Sequence, residues 1–163
     1  MDEVLLDTNV FSYFLRRNDT RASLYRPYIQ HKTVVVSFVT VGELYYWAER
    51  RKWGPAKVKF FEERIAAAAI VPYDLEVCKT YARIKSGLKT ASGSHRLVGD
   101  NDLWIAACAV RHALPLITHN RRHFGRHPRL EHRERGSVTL RLARVGTFCP
   151  TRPDDARDNP WPH

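Results

Sequence analysis

Four short apolar runs, each stopping at a polar residue and each separated from the next by a stretch of helical periodicity, constrain this chain more than any other feature. Val4-Leu5-Leu6 ends at Asp7, Thr33 to Ser37 (TVVVS) ends at a serine, Ala69 to Tyr73 runs into Asp74, and Leu114 to Thr118 (LPLIT) ends at a threonine. Continuous apolar runs of this length fit strands covered on both faces. Helices are expected over about 9–17, from the turn at Asn18-Asp19-Thr20 to about 31, and over 40–52, 56–68, 74–90 and 101–113. Trp53-Gly54-Pro55 breaks the chain between the third and fourth of these, and Asp74 is placed to cap the fifth. Residues 101–113 are apolar almost all round, which suits a central helix packed against the sheet. Strands alternating with helices predict an α/β fold: three layers, α/β/α, around a mostly parallel sheet of four to five strands.

The chain's 163 residues fit one domain with a tail. Residues 1–130 carry the α/β pattern. Residues 131–163 form a basic extension in which Val138, Leu140 and Leu142 alternate as one extra strand, before Pro150, Pro153, Pro160 and Pro162 crowd an end expected to lack order. Asp2 and Glu3 stand where a signal peptide would be basic, and no apolar run approaches the roughly 18 residues of a membrane span. The expectation is a cytoplasmic protein with no membrane contact. Cys78, Cys108 and Cys149 form no C-x-x-C pair, so neither a disulfide framework nor a thiolate zinc site is suggested. Lys plus Arg total 27 against 17 Asp plus Glu, a formal charge of +10 that favours an anionic partner such as RNA or DNA.

An open parallel sheet binds its ligands beyond the carboxyl ends of its strands. Asp7 ends the first strand, Glu43 starts the helix after the second, Asp100 and Asp102 begin the central helix, and Thr118 with Asn120 ends a later strand. All belong to one rim. Carboxylates gathered there repel one another unless a cation compensates, and oxygen ligands without His or Cys favour Mg2+, with Mn2+ as a substitute. Such an ion serves phosphodiester hydrolysis. Between Asp102 and Glu131 there is no acidic residue, while Arg111, Arg121, Arg122, Arg126 and Arg129 crowd the interval; Arg121, Arg122 and Arg126 are the expected RNA-backbone contacts. A basic rim around an acidic hole is a nuclease layout.

Leu6-Asp7-Thr8-Asn9, Val41-Gly42-Glu43-Leu44, the run Asn101 to Ala107 (NDLWIAA) and Thr118-His119-Asn120 followed by His123-Phe124 resemble, in order and spacing, the PIN-domain ribonucleases. The nearest subgroup is similar to the VapC-type toxins of bacterial toxin–antitoxin pairs, and the resemblance spans about residues 4–130. It implies a Mg2+-dependent endoribonuclease acting as a type II toxin, with Asp7, Glu43 and Asp102 as catalytic metal ligands. It also implies that Thr8, Asn9 and Thr118 orient those ligands, that a cognate antitoxin protein inserts a basic or aromatic side chain into the acidic pocket, and that the chain forms a homodimer. The sequence departs from the family pattern at Asn120, where many PIN domains carry a fourth Asp. Asn120 still offers a carbonyl ligand but no charge. Asp100 has two readings, a compensating carboxylate or the N-cap of the central helix, and the cap is the simpler.

Other readings compete at several positions. Asp7 alone would be read as a helix cap, and Asp102 as a favourable charge at a helix N-terminus. His119, His123 and His127 recur every four residues, but Gly125 and Pro128 break any helix that would align them for zinc. Tyr45, Tyr46 and Trp47 fit core or dimer interface before a base-stacking platform. A haloacid-dehalogenase-type phosphatase would also place an Asp at the first strand's end, yet needs a second Asp where this chain has Asn9. The alternative of another class is a catalytically inactive RNA-binding or antitoxin-binding module, motivated by Asn120 and the unusual tail.

Overall fold

The computed structural model describes residues 3–16, 19–88 and 98–120, together with the backbone of Leu130–Glu131 and Val138–Leu142. The elements in chain order are β1 (Glu3–Leu6), α1 (Thr8–Phe14), α2 (Thr20–Ile29), β2 (Thr33–Ser37), α3 (Phe38–Arg50), α4 (Pro55–Ala66), β3 (Ala69–Val71), α5 (Leu75–Gly87), α6 (Asp100–Arg111), β4 (Leu116–Thr118), β5 (Leu130–Glu131) and β6 (Val138–Leu142). The sheet order is β3-β2-β1-β4-β6-β5. The first four strands pair in parallel, with Val4 beside Val34, Val35 beside Ala69 and Leu6 beside Ile117. β6 then runs antiparallel to β4, and β5 antiparallel to β6. The six strands exceed the four to five read from the sequence, because the extra strand expected in the extension is joined by a two-residue partner too short to register as an apolar run.

Two cores lie on the two faces of the sheet, and the alternation along β1 divides them. Val4 and Leu6 pack with Val36, Ile117, Tyr25, Leu44 and Phe61, while Leu5 packs on the opposite face with Val35, Val77, Leu103, Ala107 and Leu116. Helices α1 to α4 chiefly cover the first face and α5 with α6 the second, which is the three-layer α/β/α arrangement. Cys108 lies in the second core, fully buried, and burial pushes its thiol up to about 12, so it is a packing residue.

Caps explain several boundaries. α3 begins at Phe38, two residues before the sequence spacing places it, because the Ser37 hydroxyl accepts from the Thr40 amide at 3.1 Å. Asp74 caps α5 through the Val77 amide at 2.6 Å, as its position suggested. α6 ends with Ala113 at φ 52°, its Leu114 amide reaching back to the Ala109 carbonyl at 3.0 Å, a Schellman closure that turns the chain directly into β4 without a glycine. Trp53, beyond α3, packs edge-on to Phe61 with the Lys57 ammonium 4.0 Å from its ring centre. The loop expected over 91–99 lies outside the described residues except Val98 and Gly99, as do the turn at 121–124, His123, His127 and the Pro-rich end. No helix among the described residues is long and apolar enough to cross a membrane.

Candidate active site

Asp7 follows the last residue of β1 and is 2% exposed. Its two oxygens have separate partners. Oδ1 accepts from the Val10 amide at 2.7 Å, capping α1, and Oδ2 accepts from the Thr118 hydroxyl and from the His119 amide at 3.2 Å. Burial pushes the Asp7 carboxyl above the usual range and the Asp102 charge adds to that, while the bonds from Thr118, Val10 and His119 pull it down. All of these hydrogen-bond donors are neutral. A buried carboxylate strained in this way is stabilised by a nearby cation.

Glu43 stands one turn into α3 and is half-buried. Its Oε2 accepts from the Thr8 hydroxyl, and its Oε1 accepts from Asn101 Nδ2 at 2.7 Å. Asp102, in the first turn of α6, accepts on Oδ2 from Asn120 Nδ2 at 3.0 Å. The Asn120 amide in turn donates to Thr118 Oγ1 at 2.9 Å. Two hydrogen-bonded networks lie side by side at the carboxyl ends of the parallel strands. Asp7, Thr118, Asn120 and Asp102 form one, and Glu43, Thr8 and Asn101 the other, with Asn101 and Asp102 adjacent on α6.

Two expected residues stand apart from both networks. Asn9 is exposed on the first turn of α1, its backbone carbonyl accepting from Ser12 at 2.8 Å. Asp100 does not cap α6; Gly99 holds the cap position, and the Asp100 carboxylate pairs with Lys85 at 2.8 Å and accepts from the Tyr81 hydroxyl at 2.9 Å. Those bonds hold its carboxyl below the usual range and draw it toward α5. Arg121, Arg122 and Arg126 lie outside the described residues. Sequence reasoning missed three members of the surroundings: Asn101, which holds Glu43, and the buried hydroxyls of Ser37 and Thr40 behind Thr8. The S-x-x-T spacing at a strand end was a legible capping signal for the last two.

The donor set is oxygen-rich and suits a hard divalent cation. Among the described residues no three acidic, His or Cys side chains form a ready-made cage. An ion here would be held by few carboxylates and completed by water, as Mg2+ commonly is.

The PIN domain family model matches residues 4–130. This chain belongs to the PIN domain family. It is 32% identical over 126 residues to Ribonuclease VapC2 of Haemophilus influenzae, an alignment covering 77% of this chain and 92% of that relative. Its fold is similar to that in VapBC-1 from nontypeable Haemophilus influenzae, at 26% identity and a TM-score of 0.64, over 76% of this chain and 91% of that one. It also matches VapBC2 from Rickettsia felis bound to a DNA fragment from the promoter, at 21% identity and a TM-score of 0.65, over 77% and 93%, a likeness of fold. The PIN match ends where β5 begins, so β6, which pairs with β4 of this PIN domain, lies beyond it.

Proposed function

We propose that this chain is a metal-dependent endoribonuclease that hydrolyses RNA phosphodiester bonds as the toxin of a type II toxin–antitoxin pair. The observation that carries the reading is the placement of Asp7, Glu43 and Asp102, from three distant segments: Thr118 and Asn120 join Asp7 to Asp102, Asn101 beside Asp102 holds Glu43, and neutral donors fix each carboxylate. The ribonuclease relatives, and the toxin–antitoxin complexes among structures of similar fold, support it.

Asp7, Glu43 and Asp102 would hold Mg2+ or Mn2+. When bound, the ion supplies activation of water and neutralises charge on the phosphodiester. Thr118 and His119 orient Asp7, Thr8 and Asn101 orient Glu43, and Asn120 orients Asp102. Asn9, exposed on the first turn of α1, is a candidate for contact with substrate. Arg121, Arg122 and Arg126 bind the RNA backbone, supplying the affinity that an acidic site lacks. A cognate antitoxin protein and a second copy of the chain are the proposed protein partners.

The second reading, an inactive RNA- or antitoxin-binding module, draws on Asn120, which contributes no charge beside Asp102. Cleavage of structured RNAs with Mg2+ or Mn2+, and with EDTA, separates the two. The nuclease reading expects metal-dependent cutting that falls by more than about 100-fold in Asp7→Asn and Asp102→Asn, beyond what outer partners of a ligand contribute. Equal cutting by the wild type and both folded variants would identify a contaminant. Salt-sensitive RNA binding without cutting would favour the module.

A further inference from the structure

Behind Glu43 stand three hydroxyls in line. Ser37 and Thr40 are fully buried and Thr8 is 4% exposed. Ser37 Oγ lies 3.2 Å from Thr40 Oγ1, Thr40 Oγ1 lies 3.2 Å from Thr8 Oγ1, and Thr8 Oγ1 contacts Glu43 Oε2.

A hydroxyl has one proton to donate, and a carboxylate only accepts. Thr8 Oγ1 is the donor toward both Thr40 Oγ1 and Glu43 Oε2, and the carboxylate is the stronger acceptor of its one proton. Either hydroxyl of the Ser37–Thr40 pair can donate to the other. Ser37 is itself held, because its Oγ accepts from the Thr40 amide at 3.1 Å. The three hydroxyls and the carboxylate form one buried polar chain in which neighbouring bonds polarise one another. The path leaves the end of β2, crosses to α1 and returns to α3 one turn beyond its start. Asn101 of α6 holds the other Glu43 oxygen at 2.7 Å, so both oxygens are tied to separate elements.

We propose that Thr40 and Ser37 are positioning residues that hold Glu43, through Thr8, in the orientation in which it ligates a divalent cation. The inference rests on the metal-site reading above. Thr40 acts by holding the Thr8 hydroxyl beside the carboxylate; without the Thr40 hydroxyl, Thr8 is free to rotate away from Glu43, and the third ligand loses its fixed direction.

The probe is Mn2+ alone, titrated into the full chain and followed by the loss of its free-ion electron paramagnetic resonance signal, beside thermal melts in EDTA. Thr40→Val keeps the side-chain shape and the Ser37 cap while removing the hydroxyl. Its Mn2+ affinity should fall about tenfold, within the range for outer partners of a ligand, and Thr40→Ser should restore it. Should Thr40→Val fail to fold, Thr40→Ala carries the same test. Because Thr40 works through Thr8, the double variant Thr8→Val/Thr40→Val should bind no more weakly than Thr8→Val alone. Wild-type affinity in a folded Thr40 variant, or losses that multiply in the double variant, would overturn the relay and leave the metal site standing. A wild-type chain that binds no Mn2+ overturns the metal site and the relay together.

Discussion

At Asn120 the arrangement predicts the cost of restoring the acid that many PIN domains carry. Asn120 Nδ2 donates to Asp102 Oδ2 at 3.0 Å, so Asn120→Asp replaces an attractive contact with two carboxylates at similar spacing. Two like charges 4 Å apart cost about 4 kcal/mol at an effective dielectric of 20. Both residues are half-buried, and solvent screening brings that to about 2 kcal/mol. The lost hydrogen bond to a charged acceptor adds about 1.5 kcal/mol. A deficit of about 3.5 kcal/mol lowers the melting temperature of a chain this size by about 10 °C. Repulsion makes the pair harder to ionise in the folded protein than in the unfolded chain, so the folded variant binds the extra proton. The repulsive part of the deficit is therefore full above the raised folded value and vanishes as pH falls below the ordinary carboxyl value of about 4. Circular-dichroism melts of both proteins in EDTA, at neutral and acidic pH, check the sign and the size. In millimolar Mg2+ the gap should close or reverse, because the added charge then binds the ion. Equal melting in EDTA at neutral pH, or a gap that Mg2+ leaves unchanged, would refute the idea that Asn120 and Asp102 face a common ion.

Two further outcomes are expected. Thr118→Val removes the hydroxyl that donates to Asp7 and accepts from the Asn120 amide, so urea unfolding in EDTA should show a loss of about 3 kcal/mol, and a loss below about 0.5 kcal/mol would contradict that bonding. Asp100→Asn should keep RNA cleavage within about threefold of wild type, since an exposed pair such as Lys85–Asp100 contributes little; a loss comparable to that of Asp102→Asn would return Asp100 to the site.

The legible parts of this molecule are those governed by short-range patterns. Val4-Leu5-Leu6 reads as a buried strand because apolar continuity is local, and Asp74 reads as a cap because its partner is three residues on. The acidic rim was legible for a topological reason: strand ends and helix starts of a parallel sheet share one edge. What stayed hidden depends on distant partners. Asp100 turns to Lys85 and Tyr81, across the α5–α6 packing, where no spacing rule reaches. Asn101 meets Glu43 across 58 positions of sequence. Tyr25, read only as part of a helix, places its hydroxyl 2.5 Å from His119 Nδ1, next to the amide that holds Asp7.

The division of Asp7 between its partners bears on how many bonds it can offer an ion. A carboxylate presents about four lone-pair directions. The Val10 amide takes one on Oδ1, and Thr118 with His119 takes two on Oδ2. Among the described residues these contacts leave one direction, so Asp7 would offer a cation a single bond. A cation held through such a ligand would have to complete its shell from Glu43, Asp102 and water.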